Sequence, residues 1–267
     1  MLNESSLAIL CDPDTHDPLV QQGEALVNPK SGKRFAVHDG VPCFVEEAAG
    51  ANRKYQSLYD WIAPFYDVGE HAYFWLTRKE SYRIFLRNSL EVPPKARVLE
   101  VSVGTGANLP YLPADVEFYG LDLSRGMLRR CRCNLRRWNR EAFLFQGEGE
   151  RLPFRDASFD VVFHVGGINF FDDRVRAIHE MVRVARPGTR IVIADETEQA
   201  VRTIYERMPF VRRFFKSRET EVTIPTELIP NEMQEVRAET VFEGLVYVIS
   251  FRTPAMAGSQ ASGSHGS

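Results

Sequence analysis

Between Arg97 and Ala194, short apolar runs alternate with helical patterns, and this alternation limits the possible folds more than any other feature of the chain. The runs Arg97–Val101, Val116–Leu121, Ala142–Gln146, Asp160–Val165 and Arg190–Ala194 have the length and β-branched content of strands. Helical patterns lie between them, at roughly 105–112, 125–139 and 172–186. In 125–139, Leu128, Cys131, Leu135 and Trp138 recur at helical spacing. Arg186-Pro187-Gly188 is expected to end the last helix before the fifth strand. Strand–helix–strand repetition gives a parallel sheet with helices on both faces. Two further runs, near Met233–Phe242 and Leu245–Arg252, flank a turn at Glu243-Gly244 and form a hairpin that would add an antiparallel strand. The predicted fold is α/β: a Rossmann-like, doubly wound, seven-stranded sheet, mostly parallel, with a small β module before it.

The chain of 267 residues has room for one large domain and an appendage. Residues 1–47 hold short strand-like pieces, with Asn28-Pro29-Lys30-Ser31-Gly32-Lys33 as a hairpin turn. Residues 48–94 are helical and aromatic-rich, 95–254 carry the strand–helix alternation, and the Ser/Gly/Ala-rich 255–267 is expected to be a disordered tail. The net charge of −3 offers no global positive field for nucleic acid. No apolar run is long enough to span a bilayer, and the N-terminus lacks a signal-peptide pattern, so a cytoplasmic protein is expected. Cys11, Cys43, Cys131 and Cys133 form no CxxC pair, so no metal site and no disulfide framework is expected.

The chemistry is concentrated in Val98-Leu99-Glu100-Val101-Ser102-Val103-Gly104-Thr105-Gly106-Ala107-Asn108, an apolar strand running into a glycine turn and then a predicted helix. Glycine there tolerates positive φ and lets a ligand approach the backbone. Ligands of open α/β sheets bind at the carboxyl ends of the strands. Alone, such a turn also fits a nicotinamide or flavin site. Asp122 at the end of the next strand can accept from both hydroxyls of a ribose. Its competing role is to cap the helix that begins near Ser124.

The segments VLEVSVGTGANL, YGLDLSRGML, QGEGERLPFRDASFDVV and HEMVRVARPGTRIVIAD occur in this order between Val98 and Asp195. Together they resemble the S-adenosylmethionine (SAM) binding core of class I methyltransferases, especially the ubiquinone/menaquinone C-methyltransferase group. The resemblance implies SAM as cofactor. It implies that Gly104 and Gly106 line the methionine portion, with Glu100 and Ser102 beside its amino-acid end, that Thr105 and Asn108 belong to the cofactor site, and that Asp122 binds the ribose. Leu123 and Met127 would flank the adenine, and Glu148, beside Gly149, would reach its amino group. His164, at the end of the fourth strand, would face the sulfonium and the substrate. Two positions depart from the family pattern: Ser102 stands where the turn usually has its first glycine, and Glu148 where Asp is usual. A nicotinamide enzyme fits less well, because its third fingerprint glycine would fall at Leu109.

Tyr59-Asp60-Trp61-Ile62-Ala63-Pro64-Phe65-Tyr66-Asp67 resembles the lid of that group, which places aromatic faces near a sulfonium cation. Tyr59 and Tyr66 are kept as candidates, the other aromatics being core residues by their spacing. No catalytic residue is assigned; His164 and Tyr66 are the candidates for a base. Residues 1–47 resemble a small zinc-ribbon-like module whose ligand set has been lost, with Cys11 near a ligand position and Asn28-Pro29-Lys30-Ser31 at the second knuckle.

Two basic features remain. Arg125, Arg129, Arg130, Arg132, Arg136, Arg137 and Arg140 crowd one helix, where a solvated face is the simpler reading than an RNA site. Residues 201–218 mix cations with Phe210, Phe214 and Phe215, which suits either peripheral contact with an anionic membrane or a helix at the substrate mouth. The expected partner is a small-molecule or lipid-like, quinone-like acceptor. An RNA methyltransferase and a non-catalytic SAM-binding regulator stand as alternatives. Oligomeric state is not legible.

Overall fold

The computed structural model describes residues 2–45, 50, 52–53, 56–61, 63, 81–203 and 221–255. The large sheet is built from β5 (Arg97–Val101), β6 (Glu117–Asp122), β7 (Phe143–Gln146), β8 (Phe159–Val165), β9 (Ala185–Glu196), β10 (Gln234–Val241) and β11 (Val246–Arg252). Its order is β10-β11-β9-β8-β5-β6-β7. Pairings from β7 through β9 are parallel, whereas β11 runs antiparallel to both β9 and β10, so one reversed strand stands in a seven-stranded sheet as expected. Strand order reverses between β8 and β6, and β5 lies at that switch.

Alternation along β5 explains the two-sided core. Leu99 and Val101 join a cluster on one face with Tyr119, Leu121 and Phe145. Val98 joins Phe118, Leu144, Val161 and Phe163 on the other. Helix α2 (Ser81–Leu90) packs Leu86 and Leu90 into the second cluster. Tyr119, Phe145, Phe154 and Phe159 form edge-to-face contacts at 5.0–6.1 Å in the first.

The amino-terminal part begins with α1 (Glu4–Ala8) and forms its own antiparallel sheet of β1 (Val20–Gln22), β2 (Ala25–Val27), β3 (Arg34–His38) and β4 (Val41–Pro42). The turn at 28–33 closes through Asn28 N–H to the Lys33 carbonyl at 2.9 Å and Gly32 N–H to Asn28 at 2.8 Å. This module docks on the free edge of the large sheet. The Phe44 amide donates to Gln146 at 2.8 Å, and Cys11 and Arg155 exchange backbone bonds with Pro153 and Ile9. Its Leu10, Leu26, Phe35 and Phe44 belong to the first core cluster.

Two local expectations are corrected. No α-helix follows the glycine turn; one 3-10 turn, Leu109–Tyr111, takes its place. Pro110 supplies no amide donor, Pro113 follows closely, and the Asn108 side chain turns back onto Glu100, so an α-helix cannot propagate. The fifth parallel strand starts at Ala185 rather than near Arg190, carrying Arg186-Pro187-Gly188 inside it. A register shift opposite Phe159–Val161 absorbs the extra residues, with Gly188 at φ 78°. The segments 64–80 and 204–220 and the tail from 256 onward lie outside the described residues, and with them Tyr66, Phe210, Phe214 and Phe215.

Candidate functional site

The carboxyl ends of β5 and β6 converge where the topology switches. Glu100, 1% exposed, accepts the Asn108 side-chain amide at 2.6 Å. The loop between them is tied down by Val103 N–H to the Leu121 carbonyl at 2.9 Å and by Asn134 Nδ2 to the Thr105 carbonyl at 3.1 Å. Within it Ser102, Gly104 and Gly106 all have positive φ, at 62°, 54° and 77°. The two glycines serve different ends. A Cβ on Gly104 would meet nothing within 4 Å, so its α-carbon faces open space, whereas a Cβ on Gly106 would lie 2.7 Å from Cys131 Sγ. Gly106 thus permits close packing of the loop on α3 (Arg125–Trp138), and Gly104 leaves a cradle.

Asp122 ends β6 and accepts two backbone amides, Gly104 at 2.7 Å and Ser124 at 2.8 Å. Burial pushes its carboxyl up to about 6; the amides of Ser124 and Gly104 pull the other way, and the charge of Asp60 adds to the rise. Ser124 caps α3 by accepting the Met127 amide at 3.0 Å and donates to Asp60 Oδ1 at 2.6 Å. Asp60 also accepts from the Gly126 amide at 2.7 Å. Leu123 presents its carbonyl to Gln56 and Gln146, each at 3.2 Å. Met127 is buried in α3 and Tyr59 is half-buried against the first core cluster.

Glu148 is engaged by its own neighbour. Its Oε2 accepts from Arg151 Nε at 3.0 Å and Nη2 at 2.6 Å, and Arg151 also donates to Asp14 of the amino-terminal module at 3.1 Å. Gly149 is packed against Phe171 and Val101. Glu150 accepts from Asn52 at 3.1 Å. Asp60, Gln56, Gln146 and Arg151 were not anticipated as parts of this region. Asp60 stood inside the aromatic motif, but its contact with Ser124 spans the fold and leaves no local signal.

His164 does not open onto the site. It is 0% exposed, with Nδ1 3.0 Å from the Val101 carbonyl and its ring edge-on to Phe171 at 5.3 Å. Nδ1 therefore carries the proton, and burial pushes the pKa down to about 4, leaving a neutral imidazole. With Nδ1 bonded to Val101, Nε2 is the ring atom left without a hydrogen-bond partner among the described residues. Beside His164, Asp195, the next-to-last residue of β9, is buried and accepts from Gly167 N–H at 2.8 Å and Glu196 N–H at 2.9 Å; desolvation holds its carboxyl well above the usual range. Asn169 links this end to Tyr247 at 2.8 Å and to Arg174 at 3.0 Å. No group of His, Cys, Asp and Glu among the described residues is arranged to hold a metal ion.

A Rossmann-like sheet, two carboxylates at adjoining strand ends and an open glycine between them make a site suited to a nucleotide-type ligand. Residues 99–193 match the family model described as a methyltransferase domain. The chain is similar to demethylmenaquinone methyltransferase of Renibacterium salmoninarum, 31% identical over 153 residues that cover 56% of this chain and 62% of that protein. It is also similar to phthiotriol/phenolphthiotriol dimycocerosates methyltransferase 1 of Mycobacterium ulcerans, 40% identical over 103 residues, 37% of each chain. The matched regions therefore span less than two thirds of these relatives. Among solved structures, the [4+2]-cyclase SpnF shares the fold with a TM-score of 0.60 at 14% identity, covering 82% of this chain and 100% of that one. The methyltransferase-domain match thus lies on residues 99–193, the stretch that carries the strand–helix alternation.

Proposed function

We propose that the protein transfers a methyl group from SAM to an apolar, quinone-like or lipid-like acceptor. The observation that carries the cofactor assignment is Gly104, whose α-carbon faces open space with Glu100 and Asp122 at the strand ends beside it. Thr105 adds a buried hydroxyl with no hydrogen-bond partner among the described residues, a donor suited to a polar ligand at the same turn. Glu100, Ser102, Gly104, Thr105 and Asn108 would hold the methionine portion and Asp122 the ribose. Leu123, Met127, Glu148 and Gly149 would form the adenine side, with Gly106 acting through loop packing.

When bound, SAM supplies a methyl group already activated on a sulfonium. What remains for the chain is to bind, align and exclude water. A buried, neutral His164 matches that division of labour, since it shapes the strand ends without exchanging protons. The acceptor class is supported by the names of the relatives, a demethylmenaquinone and a phthiotriol-type methyltransferase. An acceptor of this kind partitions into a bilayer, so the reading includes peripheral membrane contact. Among the described residues no helix is long and apolar enough to cross one.

Labelled SAM supplied with a fractionated lysate tests the proposal. Label in the lipid fraction is expected. Label in RNA would overturn the acceptor class, and tight SAM binding without transfer to any fraction would show a SAM-binding regulator instead.

A further inference from the structure

Helix α3 carries Arg125, Arg129, Arg130, Arg132, Arg136 and Arg137 and no acidic residue, in a chain whose net charge is −3. An adjoining side of the helix is committed to the core through Met127, Leu128, Cys131 and Leu135, and Arg125, Arg129 and Arg132 line a hollow with His38 and Asp39 of the amino-terminal module. Arg125, Arg129, Arg132 and Arg136 follow one another at i, i+4, i+7 and i+11, so they share one face. At a rise of about 1.5 Å per residue the row extends roughly 16 Å. Arg125, Arg129 and Arg136 are exposed, and Arg132 meets Asp39 only at 4.0 Å. Like charges at these spacings repel, and a cation in the first turn opposes the helix dipole. The row therefore weakens the helix that bears it, and an external anion would relieve that repulsion.

A second observation identifies the anion. Trp61 is the most exposed large apolar side chain among the described residues, at 61%. It follows Asp60, whose carboxylate is bonded to Ser124 and Gly126, the residues on either side of Arg125. The exposed indole and the start of the arginine row thus belong to the same corner of the molecule. Asp122, bonded to the Ser124 amide, stands at that corner too. Indole beside cations is the composition of a surface that settles at lipid headgroups; the bases of a single strand would stack on the same indole, and it is the lipid-like acceptor proposed above that favours the bilayer.

We propose that the arginine row of α3 and Trp61 seat the protein on an anionic lipid bilayer, with the mouth of the cofactor site brought to the surface where the acceptor lies. This rests on the lipid-like acceptor proposed above. Flotation with phosphatidylcholine vesicles, with and without phosphatidylglycerol, tests it on the full chain. Binding to the anionic vesicles alone is expected, weakening as salt is raised. Arg129→Glu/Arg136→Glu should lower vesicle affinity at least about tenfold, and Trp61→Ala should lower it with the same salt dependence. Arg129→Gln/Arg136→Gln, which adds no new charge, should give an intermediate loss. SAM affinity, measured by calorimetry, should be unchanged in all of them and shows that they are folded. Wild-type protein that ignores anionic vesicles, variants that bind as wild type, or preference for single-stranded RNA at equal ionic strength would each overturn the proposal. Wild-type failure to bind SAM would instead overturn the methyltransferase reading, and the vesicle experiment does not depend on it.

Discussion

Asp122 accepts the amide of Gly104 at 2.7 Å, so the acid at the end of β6 holds the glycine loop that leaves β5. With its second oxygen on the Ser124 amide, one carboxylate sets both the loop and the cap of α3. The same group is the candidate acceptor for the ribose hydroxyls. Binding and loop geometry are therefore coupled through a single side chain.

Asp122→Ala should weaken SAM binding at least about tenfold, since hydrogen bonds to charged groups contribute about 1.5–3 kcal/mol each. Its carboxyl, held up to about 6 by burial, sets a pH dependence as well. Below that value it is protonated and a poorer acceptor, so SAM affinity should fall as pH drops through about 6. Asp122→Asn should flatten the profile. For stability the sign is opposite. A carboxyl whose folded pKa lies above its ordinary value of 3.8 binds its proton more tightly when folded, so it lowers stability as pH rises from there to about 6. Calorimetry across this range checks the first claim; unchanged affinity in a folded Ala variant would remove Asp122 from the site.

Ser102 occupies a left-handed conformation, φ 62°, at the position where the resembling family has glycine. A Cβ there costs about 1–2 kcal/mol, partly offset by the greater freedom glycine brings to the unfolded chain. Ser102→Gly should stabilise the protein by about 0.5–1 kcal/mol in urea titrations. A loss of stability would mean that the hydroxyl holds the loop.

Gly104 and Gly106 should respond differently to alanine. Gly106→Ala places a methyl 2.7 Å from Cys131 Sγ and should destabilise by about 1–3 kcal/mol. Pairing it with Cys131→Ala should recover part of that loss. Gly104→Ala meets open space but stands at φ 54°, so it should cost about 1–2 kcal/mol from the left-handed backbone alone and lower SAM affinity besides. Melting temperatures together with calorimetry separate the two. Equal losses of stability with SAM binding intact would show that Gly104 lines no ligand.

The amino-terminal module should fold without metal. Asn28 Nδ2 donates to Asp12 at 2.8 Å, a buried bond joining the two knuckle-like turns, and Lys33 pairs with Asp14 at 2.8 Å. Asn28→Ala should cost about 1–3 kcal/mol, while a chelator should leave the melting temperature unmoved. Stoichiometric zinc in elemental analysis, lost together with folding on chelation, would sink the idea.

Much of the architecture was legible because it is written in local periodicity. Arg97–Val101 was placed without error, and β6, β7 and β8 within a residue or so, since a buried strand needs only a short apolar run between turns. The helix expected after the glycine turn failed because Pro110, Pro113 and the Asn108–Glu100 bond outweigh apolar spacing there. The start of β9 was misplaced because pairing with Phe159 across the sheet, not propensity, recruits Ala185 and the residues after it.

The sequence by itself determined the strand–helix alternation, the glycine turn and the acids at the ends of two strands, because each is set by residues close together in the chain. Only the tertiary structure decided which of these groups are available. His164 is tied to the Val101 carbonyl and held neutral by burial. Glu148 acquired Arg151, itself held by Asp14 from the far end of the chain, and Asp60 was carried to the cap of α3. Such contacts join residues far apart in sequence, and desolvation depends on everything packed around a group. Neither is encoded in any one stretch, and both exist only once the chain has closed on itself.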